Sequence, residues 1–391
     1  MSKYAKLVMV TADNNNKYYE MTENGNMFNV KFGRIESTAQ TAIYPISKWN
    51  SKYNEKIRKG YKDVTHTVQV QVVDTVKDEK YDKIENDKVD RFLSLMKKYT
   101  DGLVSKTYTV KAQNVTQQQV DNAQAFIDKL MKLKKSDVAS INSTLLELYM
   151  EIPRYMGDVR SYLLPNINLD KVLQQEQDNL DAMASQVKML SPKVNKNNKV
   201  QKKNKTLLDV LSIEMNEIKS NDELDYLVKQ LTGKKIETIF RIKKEEHDNI
   251  FSNWMNKQKN KNTRILIHGT RCSSVIPIIE QGLKIRPNGN YQFSGKVYGD
   301  GNYFSETCVK SLGYTGHDND KILLVYEVHV GNPFTYDGWY KGNSFTLCYK
   351  ELESRGFDST FVKAGGGLLN TEIIVYKEEQ ARIKYIIHLK N

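Results

Sequence analysis

The chain has 391 residues, 27% of them charged and 39% hydrophobic, and its 59 Lys and Arg against 47 Asp and Glu leave a formal net charge of +12. That length predicts two or three domains, the composition excludes a disordered chain, and no apolar run approaches the ~20 residues of a membrane-spanning helix. The positive charge points to an acidic partner, nucleic acid first, or else only to solubility in a lysine-rich proteome.

The opening stretch MSKYAKLVMVTADNNNKYYE lacks a sustained apolar core followed by a small-residue cleavage site, so no secretory signal is read there. Over residues 1–75 the short runs KLVMV, KYYEM, MFNVKFGRI and TAIYPIS are separated by the turn letters DNNN and ENGN, the pattern of a small antiparallel sheet. From Ser47 the spacing turns helical and closes at Gly60, giving a β-rich module with one helix packed on it.

Four apolar stripes at helical spacing follow between about 85 and 190. The first is Val89, Phe92, Leu93 and Met96; the second is Val120, Ala123, Ile127, Leu130 and Met131, opened by Thr116 and Gln119 in capping-box spacing. Ile141, Leu145, Leu148, Tyr149 and Ile152 form the third, broken at Pro153, and Leu169, Val172, Leu173, Leu180 and Met183 the fourth. Each stripe reads as the core face of a bundle helix. Positions 186–206 carry seven lysines and no acid, the composition of a solvated linker, with a nucleic-acid contact or a nuclear-import signal as alternatives.

After residue 207 strand signals return in RILIHGT, KILLVYEVHV, TEIIVYK and KYIIHLK, with glycine-bearing turns between them. The whole reads as a multidomain α+β protein: a small antiparallel β module with one helix (1–78), an all-α helical bundle (79–190), a lysine-rich linker (191–206) and a mixed α+β domain (207–391). Cys272, Cys308 and Cys348 are far apart and lack C-x-x-C spacing, so neither a zinc site nor a disulfide framework is expected, in keeping with small buried thiols in a reducing compartment.

Chemistry is expected where strands, histidine and glycine coincide. His268 ends the apolar strand RILIH and is followed by Gly269 and Thr270; alone, such a histidine is structural more often than functional. In KVYGDGNYFSETCVKSLGYTG, Tyr303 and Tyr314 stand eleven apart with Lys310 and Ser311 between them, while Gly299 and Gly301 permit close backbone approach. Two tyrosines can sandwich a flat ring, and serine with an exposed glycine amide can read a carboxamide, which suits the nicotinamide of NAD. In LLNTEIIVY, Glu372 is the one carboxylate of an otherwise largely apolar strand, leaving a strand-edge salt bridge, a simple strand end or a catalytic acid as readings.

Taken together, His-Gly-Thr, YGDGNYFSE with KSLGY, and NTEIIVY resemble the catalytic domain of the poly(ADP-ribose) polymerases, whose signature is a His, Tyr and Glu triad. The resemblance places His268, Tyr303 and Glu372 on the triad, and Gly269, Thr270, Lys310, Ser311 and Tyr314 in the NAD site, with Lys284 near the adenosine. Residues NKYYEM through GYKDVT resemble the WGR module that binds DNA ends in these enzymes, with Phe32 where the naming tryptophan would stand, then Gly33 and Arg34. Phe32 could stack on a sugar or base or pack in the core, and Arg34 is the phosphate-contact candidate. TLLELYMEIPRYMG resembles part of the family's helical regulatory domain, which implies restraint of the NAD site until DNA binds; deleting residues 80–190 is then expected to raise DNA-free turnover.

What the resemblance implies is an NAD ADP-ribosyltransferase that consumes NAD as co-substrate, uses no metal, and extends poly(ADP-ribose) on acceptor proteins including itself after activation by DNA breaks or ends. Mono-ADP-ribosyl transfer is the alternative, and a non-catalytic DNA-binding scaffold the reading from another class. The address implied is nuclear in a eukaryote and cytoplasmic otherwise, with no membrane association.

Overall fold

The computed structural model describes residues 2–65, 81–190, 205–219, 222–286, 298–336, 349–365 and 369–390. Most of the lysine-rich linker, the end of the first module beyond residue 65, and Cys348 lie outside the described residues. The chain divides into two compact units, one containing Met1–Asp78 and Gly102–Lys193, the other Glu79–Asp101, Val194–Arg286 and Gln292–Asn391.

The first unit opens with strands β1 (Tyr4–Thr11), β2 (Asn15–Asn24), β3 (Met27–Arg34) and β4 (Gln40–Pro45), helix α1 (Trp49–Arg58), and the short β5 (Lys62–Asp63). They form one antiparallel sheet in the order β4-β3-β2-β1-β5. Alternation along the strands sends Leu7, Met21, Phe28 and Val30 to one face, where α1 contributes Trp49, its ring edge-on to Phe28 at 5.1 Å.

Helix α2 (Asp87–Thr107) begins in the second unit and ends in the first; α3 (Gln117–Leu130), α4 (Val138–Glu151) and α5 (Leu169–Leu190) follow it. The expected capping box is present, Thr116 accepting from the Gln119 amide and Gln119 from the Thr116 amide. Past the end of α4, Arg154 is buried, pairs with Glu176 of α5, and lies over the rings of Tyr108 and Tyr149. Contacts also tie the sheet to these helices within this unit: Lys62 pairs with Glu151 at 2.7 Å, and the Asn16 amide donates to Arg154 O at 3.2 Å.

The second unit continues with α6 (Leu207–Leu211), β6 (Glu214–Ile218), α7 (Asp225–Gln230), β7 (Lys235–Lys243), α8 (Glu245–Lys257), β8 (Thr263–Thr270), α9 (Cys272–Gln281) and β9 (Asn302–Phe304). It ends with α10 (Cys308–Leu312), β10 (Asp320–His329), β11 (Pro333–Tyr336), α11 (Tyr349–Ser354), β12 (Ser359–Val362), β13 (Glu372–Val375) and β14 (Ala381–Lys390). One sheet runs β6-β7-β14-β10-β8, a second β11-β12-β13-β9. Although its ladder is antiparallel on both sides, β10 is buried along nearly its whole length, which is why KILLVYEVHV reads as an unbroken apolar run.

The stripe at the start of α2 finds its partners in this unit. Phe92 stands 4.8 Å from the Phe240 ring and 5.5 Å from His388, and the Tyr99 hydroxyl donates to Asp320 at 3.0 Å. His388 Nε2 meets the other oxygen of Asp320 at 2.6 Å. A deletion starting at residue 80 would therefore strip apolar cover from Phe240, and a cut after Asp101 would leave it in place.

Candidate active site

The apolar stretch of β8 gives out at His268, with β10 running alongside so that His268 faces Leu324 and Gly269 faces Leu323. Ile267 exchanges two backbone hydrogen bonds of 2.9 Å with Ser305, which brings β9 and its Tyr303 beside the histidine. His268 Nδ1 then lies 3.0 Å from the Tyr303 carbonyl oxygen. Because a carbonyl only accepts, Nδ1 carries the proton and Nε2 remains an acceptor. Burial holds this imidazole below its ordinary 6.5, with the Tyr303 bond opposing that shift, so the ring is neutral at neutral pH.

Gly269 comes next, and a Cβ built there would stand 1.7 Å from the carbonyl oxygen of Ser311. Only glycine admits α10 so close to β8. Ser311 is buried by that approach and its hydroxyl donates to Ile267 O across 3.3 Å. Its neighbour Lys310 pairs through Nζ with Glu372 Oε1, the two side chains being only 15% and 9% exposed. Glu372 opens β13, whose Ile374 lies opposite Tyr303 in the ladder. The contacts thus close a ring from His268 through Gly269, Ser311, Lys310, Glu372 and Ile374 to Tyr303 and back to His268.

Glu372 opens an inner strand, β13, which lies between β12 and β9, and its carboxylate is paired by an amine. Tyr314, just past α10, keeps 47% of its surface exposed, so its ring is open to a ligand. Burial and the charge of Glu372 both raise its phenol above the ordinary value. Thr270 is buried at the end of β8.

The remaining expected residues have protein partners of their own. Lys284 pairs with Glu378 at 2.7 Å on the surface of the second unit. In the first unit Phe32 is half-buried, its ring 5.8 Å from Tyr19. The Arg34 guanidinium donates to Asn14 O at 2.6 Å, to Asn14 Oδ1 at 3.0 Å and to Gly157 O, so protein groups already occupy it. One set of supporting residues is not apparent from the motifs. The Thr307 amide donates to Ser305 Oγ at 3.0 Å and its hydroxyl to Asn370 Oδ1 at 3.3 Å, linking the start of α10 to the residue two before Glu372. Its only sequence signal is the Ser and Thr pair just ahead of the helix.

Comparison with known proteins bears on the whole arrangement. Residues 190–338 match the model of the poly(ADP-ribose) polymerase catalytic domain. A putative poly(ADP-ribose) polymerase-like protein, 100L of Invertebrate iridescent virus 6, is 56% identical over 173 residues, 43% of this chain and 94% of that protein. The uncharacterized protein 101L of the same virus is 40% identical over 202 residues, 51% of this chain and 83% of that protein. Poly(ADP-ribose) polymerase 2 of Arabidopsis thaliana is 31% identical over 159 residues, 33% of this chain and 24% of the plant protein. The chain therefore belongs to the poly(ADP-ribose) polymerase family and is an NAD ADP-ribosyltransferase.

Proposed function

We propose that the chain is a polymerase, transferring ADP-ribose from NAD to protein acceptors, itself included, extending the product into chains and responding to DNA breaks. The observation that carries the polymerase reading is Glu372, a largely buried carboxylate held by Lys310 on the strand that flanks Tyr303.

The chemistry follows from the site outward. Cleaving the bond between nicotinamide and ribose builds positive charge on the sugar, so the reaction needs a held leaving group, a held ribose and a nearby carboxylate. In this reading the Nε2 lone pair of neutral His268 accepts a hydrogen bond from the adenosine ribose. The Gly269 backbone and the Ser311 hydroxyl, whose own bond to Ile267 O is long at 3.3 Å, take the carboxamide. Tyr314 offers its exposed ring for stacking while Tyr303 walls the other side. Glu372 binds the nicotinamide ribose, stabilises the developing cation and orients the incoming hydroxyl during chain growth.

DNA dependence is supported by the resemblance of the β module and by the net charge of +12. Arg34 would have to share its guanidinium with Asn14 and Gly157 to touch a phosphate. The test is incubation with NAD, with and without a broken duplex, followed by a gel of the modified chain. A ladder or smear that grows with duplex supports the proposal; a sharp shift supports single-unit transfer; unmodified protein with no nicotinamide released leaves a binding scaffold.

A further inference from the structure

The hydroxyl of Tyr303 points back into its own loop. It donates to Gly299 O at 2.8 Å and accepts from the Tyr298 amide at 2.8 Å, closing the turn Tyr298–Gly301 onto the ring that follows it. The same turn is held a second time from the interior. The Tyr376 hydroxyl lies 2.9 Å from Tyr298 O and 2.7 Å from the Thr360 hydroxyl. Since the carbonyl can only accept, Tyr376 donates to Tyr298, and Thr360 donates to Tyr376. Every direction in the series is therefore fixed.

The part of this series from Thr360 through Tyr376 to Tyr298 is buried. Thr360 is 0%, Tyr298 1% and Tyr376 7% exposed, within an apolar cluster that includes Leu352, Val362 and Ile374. A partner lost there is not replaced by water, so each bond weighs more than it would at the surface. The turn also has no slack toward β13, because a Cβ at Gly301 would stand 2.5 Å from Ile374 Cγ2 and 2.7 Å from Val375 O. Burial raises the phenols of Tyr303 and Tyr376, so both stay neutral donors at every working pH.

We propose that Tyr376 is a positioning residue for ADP-ribosyl transfer: the relay from Thr360 through Tyr376 to the Tyr298–Gly301 turn sets the Tyr303 ring and thereby the fit of the nicotinamide end of NAD. The inference rests on the reading of Tyr303 as a wall of the nicotinamide site. It assigns a positioning role to Thr360, Tyr376 and the backbone of Tyr298.

The test is Tyr376→Phe in the full chain, which keeps the ring and removes one hydroxyl. Nicotinamide release would be followed against NAD concentration, and affinities measured for benzamide, which mimics the nicotinamide end, and for ADP-ribose, which lacks it. The relay predicts that the KM for NAD and the benzamide dissociation constant rise together by roughly three- to tenfold, the factor for one buried hydrogen bond. Over the same comparison kcat and ADP-ribose affinity stay within about twofold. A drop in kcat at unchanged KM, or equal weakening of benzamide and ADP-ribose, would mean that the hydroxyl only supports the fold, and would overturn the proposal. Should Tyr376→Phe not fold, Thr360→Val carries the test by the same selectivity for benzamide over ADP-ribose. Failure of the underlying reading looks different, because wild-type protein itself would then not bind benzamide.

Discussion

Replacing Gly269 by alanine tests how closely the site depends on the packing of α10 against β8. The added Cβ would meet Ser311 O at 1.7 Å, Ser311 C at 2.6 Å and Ser311 Cα at 3.1 Å, all backbone atoms that cannot swing aside. To restore ordinary contact the oxygen must retreat by at least its present separation again, and α10 carries Lys310 and Ser311 with it. Overpacking of this kind costs about 1–3 kcal/mol in stability. The larger effect is on geometry, since a misplacement of about 1 Å at a reacting centre can lower the rate on the order of 100-fold. Gly269→Ala is therefore expected to lose roughly two orders of magnitude in kcat/KM for nicotinamide release, at a melting temperature lowered by several degrees. Gly102→Ala serves as control, because a Cβ there meets nothing within 4 Å and the residue lies inside α2. It should be neutral or stabilising by up to about 1 kcal/mol. If Gly269→Ala kept kcat/KM within about threefold of wild type, the claim that α10 is held in place by this contact would be wrong.

Lys310→Met should be more damaging than its size suggests, because it leaves Glu372 largely buried without its partner; a loss of about 3 kcal/mol is expected in urea unfolding, together with a fall in kcat. His268 gives a pH signature. Its native value lies below the ordinary 6.5, so the unfolded chain binds the extra proton first, and this residue's share of stability is lost as pH falls from 6.5 toward the depressed value. The acid limb of kcat/KM should accordingly have its midpoint below 6.5, and a His268-dependent midpoint at or above 6.5 would count against the neutral Nδ1–H form. Phe92→Ala should cost about 3–5 kcal/mol in the unfolding of the second unit, since the ring is buried against Phe240 and His388; a change under about 1 kcal/mol would contradict that packing.

Local pattern carried a good part of the molecule. The capping box of α3, the alternation of β3 and the continuous apolar run of β10 each follow from a few neighbouring residues, and each stands where periodicity puts it. His268 and Glu372 are legible for the same reason: each is where an apolar run meets a polar letter, although β8 itself continues to Thr270. What sequence hides is which distant groups meet. Arg34 looks like a free cation on a strand end, yet one of its acceptors, Gly157 O, lies 123 residues away. The first stripe of α2 announces a helix but not that Phe92 packs on Phe240. Likewise Thr360 and Tyr376 are ordinary strand letters until the fold aligns their hydroxyls with the carbonyl of Tyr298.

The most direct test of the account is turnover of labelled NAD by wild-type chain and by Glu372→Gln, with and without a broken DNA duplex, scored for released nicotinamide and for polymer on a gel. Wild type should release nicotinamide and grow long chains stimulated by duplex, and Glu372→Gln should grow none although NAD still binds. Long chains persisting in Glu372→Gln would contradict the account.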